Sequence, residues 1–179
     1  MKLNTLIIDD FLDNPDEIRN FLIDNKVSFE KTGSYPGKRT PPVDNSVYKN
    51  MIVEKLHKVL PFKIKMKPFS FSFQLCLSHD EINWVHLDPS DWTGVLYLTP
   101  NAPIESGTLL FKADNESMIK IRSEDKHEVD IDITVGMSNV YNRMILFRGK
   151  DIPHRSNVAG FGDCLENGRL TQVFFFDEV

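Results

Sequence analysis

After residue 61 the chain is a succession of short segments rich in β-branched and aromatic residues. The first, residues 62–67, alternates apolar and polar side chains, as a strand with one buried face does. Further segments of this kind follow, separated by turn-forming residues: FSFQLCLS, TGVLYLT, GTLLFKA, NRMILFRG and RLTQVFFFDEV. Helical periodicity is largely absent there, apart from a polar stretch near residues 122–130. The pattern predicts about eight strands in an antiparallel sandwich or barrel.

The N-terminal part of the chain has a different pattern, which predicts one short strand and two helices. Residues 6–8 form an apolar run typical of a strand. Asn14 and Pro15 are then suited to the N-cap and first turn of a helix. Its packed face would consist of Ile18, Phe21 and Leu22. A second helix is predicted over about residues 45–60, because apolar residues keep helical spacing there and Pro61 ends it.

These patterns predict a mainly β protein with N-terminal helices (α+β). We expect a single domain, 1–179, in which residues 1–61 form a helical support and residues 62–179 form the β core. The Gly- and Pro-rich segment 31–45 would be a connector or a lid over a site. A chain of 179 residues can bury enough surface to fold without disulfides or a structural metal.

Charge and cysteine usage exclude several classes of function. The net charge of −5 argues against a generally cationic protein that binds nucleic acid or membrane surfaces. No apolar stretch approaches the roughly 18 residues of a membrane helix, and the N-terminus lacks a signal-peptide pattern. Cys76 and Cys164 occur singly, without metal-binding spacing. We therefore expect free thiols and a cytoplasmic protein.

Two of the five histidines begin a His-x-acid triplet that could bind a metal. His86 and Asp88 stand two residues apart, so a strand would place both side chains on one face. An imidazole and a carboxylate are two of the three ligands of the facial triad, which holds Fe(II) and leaves coordination positions open. The triplet 79–81 has the same pattern but lies in a polar cluster typical of a surface turn. The sequence therefore favours His86 and Asp88.

The third ligand of such a triad should come from a later strand. His154 follows Pro153 shortly after an apolar segment, which makes it the best candidate. A purely structural role for His154 is the alternative. His57 and His127 lie in polar stretches, where we expect both to be exposed.

The last predicted strand begins with a cation and a hydroxyl group on one face. Arg169 and Thr171 are two residues apart, and Leu170 points to the other side. An arginine beside a hydroxyl group on an otherwise apolar strand can hold a carboxylate inside a cavity. An arginine at a strand edge, facing water, is the alternative.

Five motifs follow one another along the chain: HLD, VLYLT, SGTLLF, YNRMILFRGKDIPH and RLTQVFFFD. In this order they resemble the motifs of Fe(II)/2-oxoglutarate-dependent dioxygenases, most closely the prolyl-hydroxylase-like branch. The resemblance covers about residues 69–177. It implies that the β core is a double-stranded β-helix, or jelly-roll.

The resemblance also implies a cofactor, Fe(II), and two cosubstrates, 2-oxoglutarate and O2. The iron ligands, which form the catalytic centre, would be His86, Asp88 and His154. Arg169 would pair with the distal carboxylate of 2-oxoglutarate, and Thr171 would be a supporting hydroxyl group. Tyr97 would either donate a hydrogen bond to the same carboxylate or be a core aromatic residue.

Two features depart from the pattern of the family. His154 and Arg169 are fifteen residues apart, a longer gap than in similar enzymes. In a different register Arg148 or Arg155 would take the place of Arg169. The segment 112–139 is a longer and more polar insertion than a minimal jelly-roll needs.

The implied reaction is hydroxylation of a substrate, with release of succinate and CO2 from 2-oxoglutarate. The resemblance favours a small molecule or peptide as substrate, in particular a free or peptidyl amino acid. Candidate substrate contacts at the mouth of the site are Tyr35, Lys38, Arg39, Trp84 and Trp92. Two alternatives stay open: a jelly-roll binding module without enzymatic activity, and a cupin-type metalloenzyme that does not use 2-oxoglutarate.

Overall fold

A computed structural model of the chain describes residues 3–81, 84–123 and 131–179. Within these ranges the chain forms ten strands and three helices. The strands are β1 (Thr5–Ile8), β2 (Lys38–Arg39), β3 (Ile64–Met66), β4 (Ser72–Cys76), β5 (Trp92–Tyr97), β6 (Thr108–Lys112), β7 (Asp132–Met137), β8 (Met144–Phe147), β9 (His154–Ser156) and β10 (Arg169–Glu178). The helices are α1 (Pro15–Asp24), α2 (Ser46–Val59) and α3 (Asn115–Arg122).

The strands form two antiparallel sheets that pack against each other. The larger sheet has the order β1-β8-β5-β10-β4-β2, and β3 pairs with the end of β10. The smaller sheet has the order β7-β6-β9. Strand β10 is the centre of the larger sheet, because its ten residues pair with β4, β5 and β3 along its length. After residue 61 the described ranges contain eight strands, in agreement with the predicted number.

The alternation of side chains along β10 separates two apolar layers. Leu170, Phe174 and Phe176 face a cluster that also contains residues of α1 and α2. A second cluster joins the two sheets and consists of Tyr97, Leu110, Met137, Ile145 and Phe147. The other face of β10, which begins with Arg169, lines a cavity between the sheets. The fold thus brings the start of this strand into the interior.

Helix α1 begins at Pro15, as predicted, but differs from the prediction in two details. Asn14 occupies the N-cap position, yet its side chain makes no capping hydrogen bond. Leu22 is buried in the core, whereas Phe21 is 61% exposed. The predicted packed face is therefore too wide, because the helix contacts the core along a narrower stripe.

Helix α2 agrees closely with its prediction. Its N-cap, Asn45, accepts a hydrogen bond from the backbone N–H of Tyr48 at 3.0 Å. It ends at Val59, two residues before Pro61. The capping bond and the proline set both ends locally, which is why the sequence pattern located this helix well.

Two elements lie in segments whose residue pattern predicts no regular secondary structure. Strand β2, inside the Gly- and Pro-rich segment, pairs with β4 and fixes that segment to the larger sheet. Helix α3 lies in the polar insertion, where Asp114 caps it by accepting a 2.8 Å bond from the N–H of Ser117. Most of the stretch 122–130, where the pattern was ambiguous, lies outside the described residues.

The described helices and the cysteines bear on two further predictions. None of the three helices has the length and apolar character needed to cross a membrane. Cys76 is buried and Cys164 is exposed, and both are free thiols, as predicted.

Candidate functional site

His86, Asp88 and His154 meet in space, although His154 belongs to a different strand. The backbone N–H of His86 donates to the carbonyl oxygen of His154 at 3.1 Å, and the N–H of His154 donates back at 3.0 Å. The N–H of Asp88 donates to the carbonyl oxygen of Gly149 at 2.9 Å. These bonds place β9 beside the triplet and bring potential ligand atoms of the three side chains within 4.8 Å of one another.

The facing atoms are imidazole nitrogens and carboxylate oxygens. Nε2 of His154 lies 3.0 Å from Oδ2 of Asp88, and Nε2 of His86 lies 3.9 Å from Oδ1. The two imidazole ring centroids are 4.5 Å apart. Among the described residues no other group of three His, Cys, Asp or Glu side chains converges in this way.

Both imidazoles are held in the tautomer that binds a metal through Nε2. Nδ1 of His86 lies 3.1 Å from the carbonyl oxygen of Trp84, and Nδ1 of His154 lies 2.9 Å from that of Ile152. A carbonyl oxygen only accepts hydrogen bonds, so each Nδ1 carries the proton. A ring that carries only this proton has its lone pair on Nε2, the nitrogen that faces the carboxylate. Such an arrangement needs a cation or an added proton between the groups.

Asp88 supplies the negative charge of the cluster. Burial by itself raises the pKa of this carboxyl group, but His154, His86 and a hydrogen bond from Thr93 outweigh burial and lower the pKa to about 2. The Thr93 hydroxyl donates to Oδ2 of Asp88. Gly149 leaves space for this bond, because a Cβ at that position would lie 2.1 Å from Oγ1 of Thr93. The carboxylate is therefore ionised at neutral pH.

Thr93→Val should reduce the metal affinity of the cluster by about tenfold, since valine cannot orient the Asp88 carboxylate. The dissociation constant for Fe(II), measured by anaerobic calorimetry, tests this expectation. Thr134→Val is the matched control. Thr134 lies on the exposed strand β7, away from the cluster, and its hydroxyl group donates to the carbonyl oxygen of Leu110. An unchanged dissociation constant in Thr93→Val would show that Thr93 does not support the carboxylate.

The three side chains open onto a cavity of about 90 Å³ between the sheets. The inner face of β10 contributes Arg169, Thr171, Val173 and Phe175 to its wall. Val95, on the neighbouring strand β5, and Phe147, on β8 at the other side of β5, line it as well. Apolar side chains thus form one part of the wall, and polar or charged side chains form most of the rest.

Arg169 is a buried cation in this wall. Its side chain is only 5% exposed, and its Nε donates to the carbonyl oxygen of Ser106 at 2.9 Å. Its guanidinium carbon lies 5.8 Å from the centre of the Tyr97 ring. No Asp or Glu of the described ranges forms an ion pair with it. Burying a charge without a partner is costly, so this group is suited to an anionic ligand.

Arg148 and Arg155, the two alternatives to Arg169 as the arginine of the cavity, have different surroundings. Arg148 forms ion pairs with Asp151, at 3.3 Å, and with Glu178. Arg155 also borders the cavity, but it follows His154 by one residue and its guanidinium carbon lies 5.8 Å from the Phe111 ring centre. Arg155 is half-buried, whereas Arg169 is almost fully buried. The fold therefore places Arg169 in the cavity despite the long gap after His154.

Hydroxyl groups line the same cavity as Arg169. Thr171 lines the cavity and is almost fully buried. Thr108 and Ser156, which the sequence analysis did not identify, face each other across β6 and β9 and also line the cavity. Oγ of Ser156 is buried and has no hydrogen-bond partner among the described residues. A hydroxyl group in this state can bond to an oxygen of a ligand.

Tyr97 lies behind this wall. Its side chain is fully buried in the cluster between the sheets, and its hydroxyl group lies 2.8 Å from Oγ1 of Thr108. It does not border the cavity, whereas Thr108 does. The structure therefore places Tyr97 in the core, one hydrogen bond away from the cavity wall, and its contact with a cosubstrate carboxylate stays a prediction.

A second cavity of about 280 Å³ forms the mouth of the site. Tyr35 and Arg39 line both cavities, and Trp84 lines the mouth. These are three of the five residues predicted to contact substrate. The prediction is wrong for Lys38, which is exposed and borders neither cavity, and for Trp92, which is fully buried and stacks on Phe176 in the core.

The remaining histidines lie away from the site. His79 is exposed in a turn and His57 is exposed on α2, as predicted. The triplet 79–81 therefore does not compete with His86 and Asp88 for the metal position. His127 lies outside the described residues.

The sequence matches no protein-family model and no curated protein. Solved structures are similar to it. One is a prolyl hydroxylase from Trichoplax adhaerens in complex with a hypoxia inducible factor oxygen degradation domain peptide fragment. Its TM-score is 0.60 at 14% identity, and the match covers 97% of this chain and 84% of that one. Another is a Pseudomonas putida prolyl-4-hydroxylase, with a TM-score of 0.54 and 14% identity. The match covers 98% of this chain and 93% of that one.

A third similar structure is HygX from Streptomyces hygroscopicus with nickel and 2-oxoglutarate bound. Its TM-score is 0.61 at 10% identity, covering 97% of this chain and 82% of that one. These comparisons establish the fold. The predicted jelly-roll core is confirmed, and so, at the level of fold, is the resemblance that the motif order indicated.

Proposed function

We propose that the protein is an Fe(II)- and 2-oxoglutarate-dependent oxygenase that hydroxylates a small-molecule or peptide substrate. One observation carries the proposal: a His-Asp-His cluster and a buried arginine without an ion-pair partner line the same cavity between the sheets. A metal ligand set alone would fit many metalloproteins. A second, cationic position in the same cavity is what a chelating dicarboxylate requires.

The donor set fits iron. Two neutral imidazole nitrogens and one carboxylate form the facial set that suits Fe(II) and leaves positions for other ligands. The backbone carbonyl oxygens of Trp84 and Ile152 hold the rings through Nδ1, and the Thr93 hydroxyl holds the carboxylate. Such outer partners orient the ligands before the metal binds. The metal would therefore be held by His86, Asp88 and His154.

The other end of the cavity fits a dicarboxylate. The guanidinium of Arg169 would bind the distal carboxylate of 2-oxoglutarate, and the hydroxyl groups of Thr171 and Ser156 would add hydrogen bonds. The unpartnered Oγ of Ser156 supports this assignment, because a buried hydroxyl group normally has a partner. HygX, which shares the fold, binds iron and 2-oxoglutarate.

Iron, 2-oxoglutarate and O2 together supply the oxidising chemistry, which converts 2-oxoglutarate to succinate and CO2 and hydroxylates a C–H bond. The protein contributes orientation and a dry environment. Asp88 keeps a negative charge at the metal, and Arg169 fixes the distal end of the cosubstrate. Val95, Phe147 and Val173 exclude water from the space between these two ends.

The substrate would enter through the mouth beside Tyr35, Arg39 and Trp84. We keep a free or peptidyl amino acid as the proposed substrate class. The prolyl hydroxylase of similar fold from Trichoplax adhaerens binds a peptide, which supports this choice.

Formation of succinate from 2-oxoglutarate tests the proposed activity. The purified protein with Fe(II) and O2 should release succinate slowly without a substrate, and a chelator should stop the release. His86→Ala should abolish it, whereas His79→Ala, in the exposed triplet, should not. Metal binding without use of 2-oxoglutarate would favour a cupin-type metalloenzyme, and absence of metal binding would favour a binding module.

A further inference from the structure

A second arginine lines the cavity from the mouth side. Arg39 extends from β2 and is half-buried between two aromatic rings. Its guanidinium carbon lies 3.9 Å from the centre of the Tyr35 ring and 5.9 Å from that of Phe175. Stacking on aromatic faces is a geometry that guanidinium groups favour, and it fixes the plane of the cation.

A neutral side chain completes this support. Nε and Nη2 of Arg39 donate to Oε1 of Gln74 at 3.1 and 2.9 Å. Gln74 is itself buried and donates from Nε2 to the carbonyl oxygen of Pro36 at 2.7 Å. The cation is therefore positioned by an amide and not by a carboxylate. In the described ranges Nη1 of Arg39 has no hydrogen-bond partner and no acid lies within ion-pair distance.

Two other arginines of the protein have carboxylate partners. Arg143 pairs with Asp9 at 2.6 Å, and Arg148 pairs with Asp151 and Glu178. Arg39 and Arg169 differ from these because, like Arg155, they line the cavity and form no ion pair in the described ranges. In the mouth, Arg39 stands beside His86 and Asp88, while Arg169 lines only the inner cavity. The two cations thus serve different ends of the site.

The charges of the filled site leave positive charge unbalanced. Under the proposed function Fe(II) and doubly charged 2-oxoglutarate cancel each other. The Asp88 carboxylate then balances one of the guanidinium groups of Arg39 and Arg169, so the other one, and that of Arg155 at the same cavity, stay unbalanced in a partly desolvated site. An anionic group on the substrate would neutralise part of this charge.

We infer that Arg39 binds a carboxylate group of the primary substrate, so that the substrate class is a carboxylic acid. The inference rests on the proposed function, because 2-oxoglutarate must occupy Arg169. The edge of the guanidinium formed by Nη1 and Nη2 is flat and pre-oriented, which matches the two oxygens of a carboxylate. Tyr35 and Phe175 shield this contact from water.

Binding of matched acids and amides tests the inference. N-acetyl amino acids are compared as free α-carboxylates and as primary amides by calorimetry with the anaerobic Fe(II)–2-oxoglutarate complex. The amides of N-acetyl aspartate and N-acetyl glutamate distinguish a side-chain carboxylate from an α-carboxylate. At least one acid should bind about tenfold more tightly than its uncharged counterpart, as expected for a charged hydrogen bond.

Arg39→Gln should remove this preference and leave the affinity for 2-oxoglutarate within about twofold of the native value. Lys38→Gln is the matched control, because it removes the adjacent cation of the same strand, which is exposed and borders neither cavity. The inference is overturned if no acid is preferred to its amide, or if Arg39→Gln keeps the preference. It is also overturned if Arg39→Gln lowers the affinity for 2-oxoglutarate instead of the affinity for the acids.

The same titrations with the metal-free protein separate the two proposals. One outcome is that acids are preferred, that the preference depends on Arg39, and that no Fe(II)–2-oxoglutarate complex forms. This outcome would support Arg39 as a binding site for anions and contradict the proposed oxygenase function. The opposite outcome is that the complex forms but acids are not preferred. It would support the oxygenase function and contradict the role inferred for Arg39.

Discussion

Asp88→Ala is expected to lower the affinity for Fe(II) by more than about 100-fold and to abolish succinate formation. The carboxylate is the only anionic member of the cluster, and it lies within 3.0 Å of Nε2 of His154. Its removal leaves only two neutral imidazoles as ligands. These two ligands are not enough to compensate for the hydration energy that Fe(II) loses on binding. Anaerobic calorimetry with Fe(II) measures the affinity, and circular dichroism shows whether the variant is folded.

The triplet 79–81 provides the control for this substitution. Glu81 occupies the position equivalent to Asp88 in that triplet, but it is exposed. Glu81→Ala should keep the Fe(II) affinity within about twofold of the native value, as is usual for surface changes. A folded Asp88→Ala protein that binds Fe(II) with native affinity would show that the cluster is not the metal site.

Arg169→Met should raise the 2-oxoglutarate concentration needed for half-maximal succinate formation by about 100-fold. Truncating one partner of a buried charge pair costs roughly 2–5 kcal/mol, and each 1.4 kcal/mol corresponds to about a factor of ten. The Fe(II) affinity should change by less than about threefold, because Arg169 is not a metal ligand. Without 2-oxoglutarate the melting temperature should stay the same or rise, since the variant no longer buries an unpaired cation.

Arg148→Met is the matched control and should show the opposite pattern. It removes the ion pairs with Asp151 and Glu178, so it should lower the melting temperature and leave the 2-oxoglutarate requirement unchanged. Arg169→Met with a native 2-oxoglutarate requirement would contradict the assignment of this arginine. A loss of Fe(II) affinity as large as that of Asp88→Ala would contradict it equally.

The strands and α2 could be predicted because their signals are local. Residues two apart on a strand share a face, which is why Arg169 and Thr171 line the same cavity wall. Asn45 and Pro61 mark the two ends of α2 within the sequence itself. The order of five motifs then indicated the fold, although no single motif was specific.

Other parts of the site depend on long-range pairing, which has no local signal. Strand β2 is two residues long, and its pairing with β4 brings Arg39 to the cavity. Ser156 reaches the cavity through pairing of β9 with Thr108 on β6. Composition could not separate Trp92, a core residue, from Trp84, which lines the mouth, because both are tryptophans in a polar context.

The most direct measurement of the central claim is an anaerobic absorption titration of the protein with Fe(II) and 2-oxoglutarate. If the His-Asp-His cluster binds iron and Arg169 anchors the cosubstrate, a weak visible charge-transfer band should appear only when both are present. It should saturate at one equivalent of iron and be absent in Asp88→Ala. Absence of the band in the native protein at saturating concentrations of both would contradict the account.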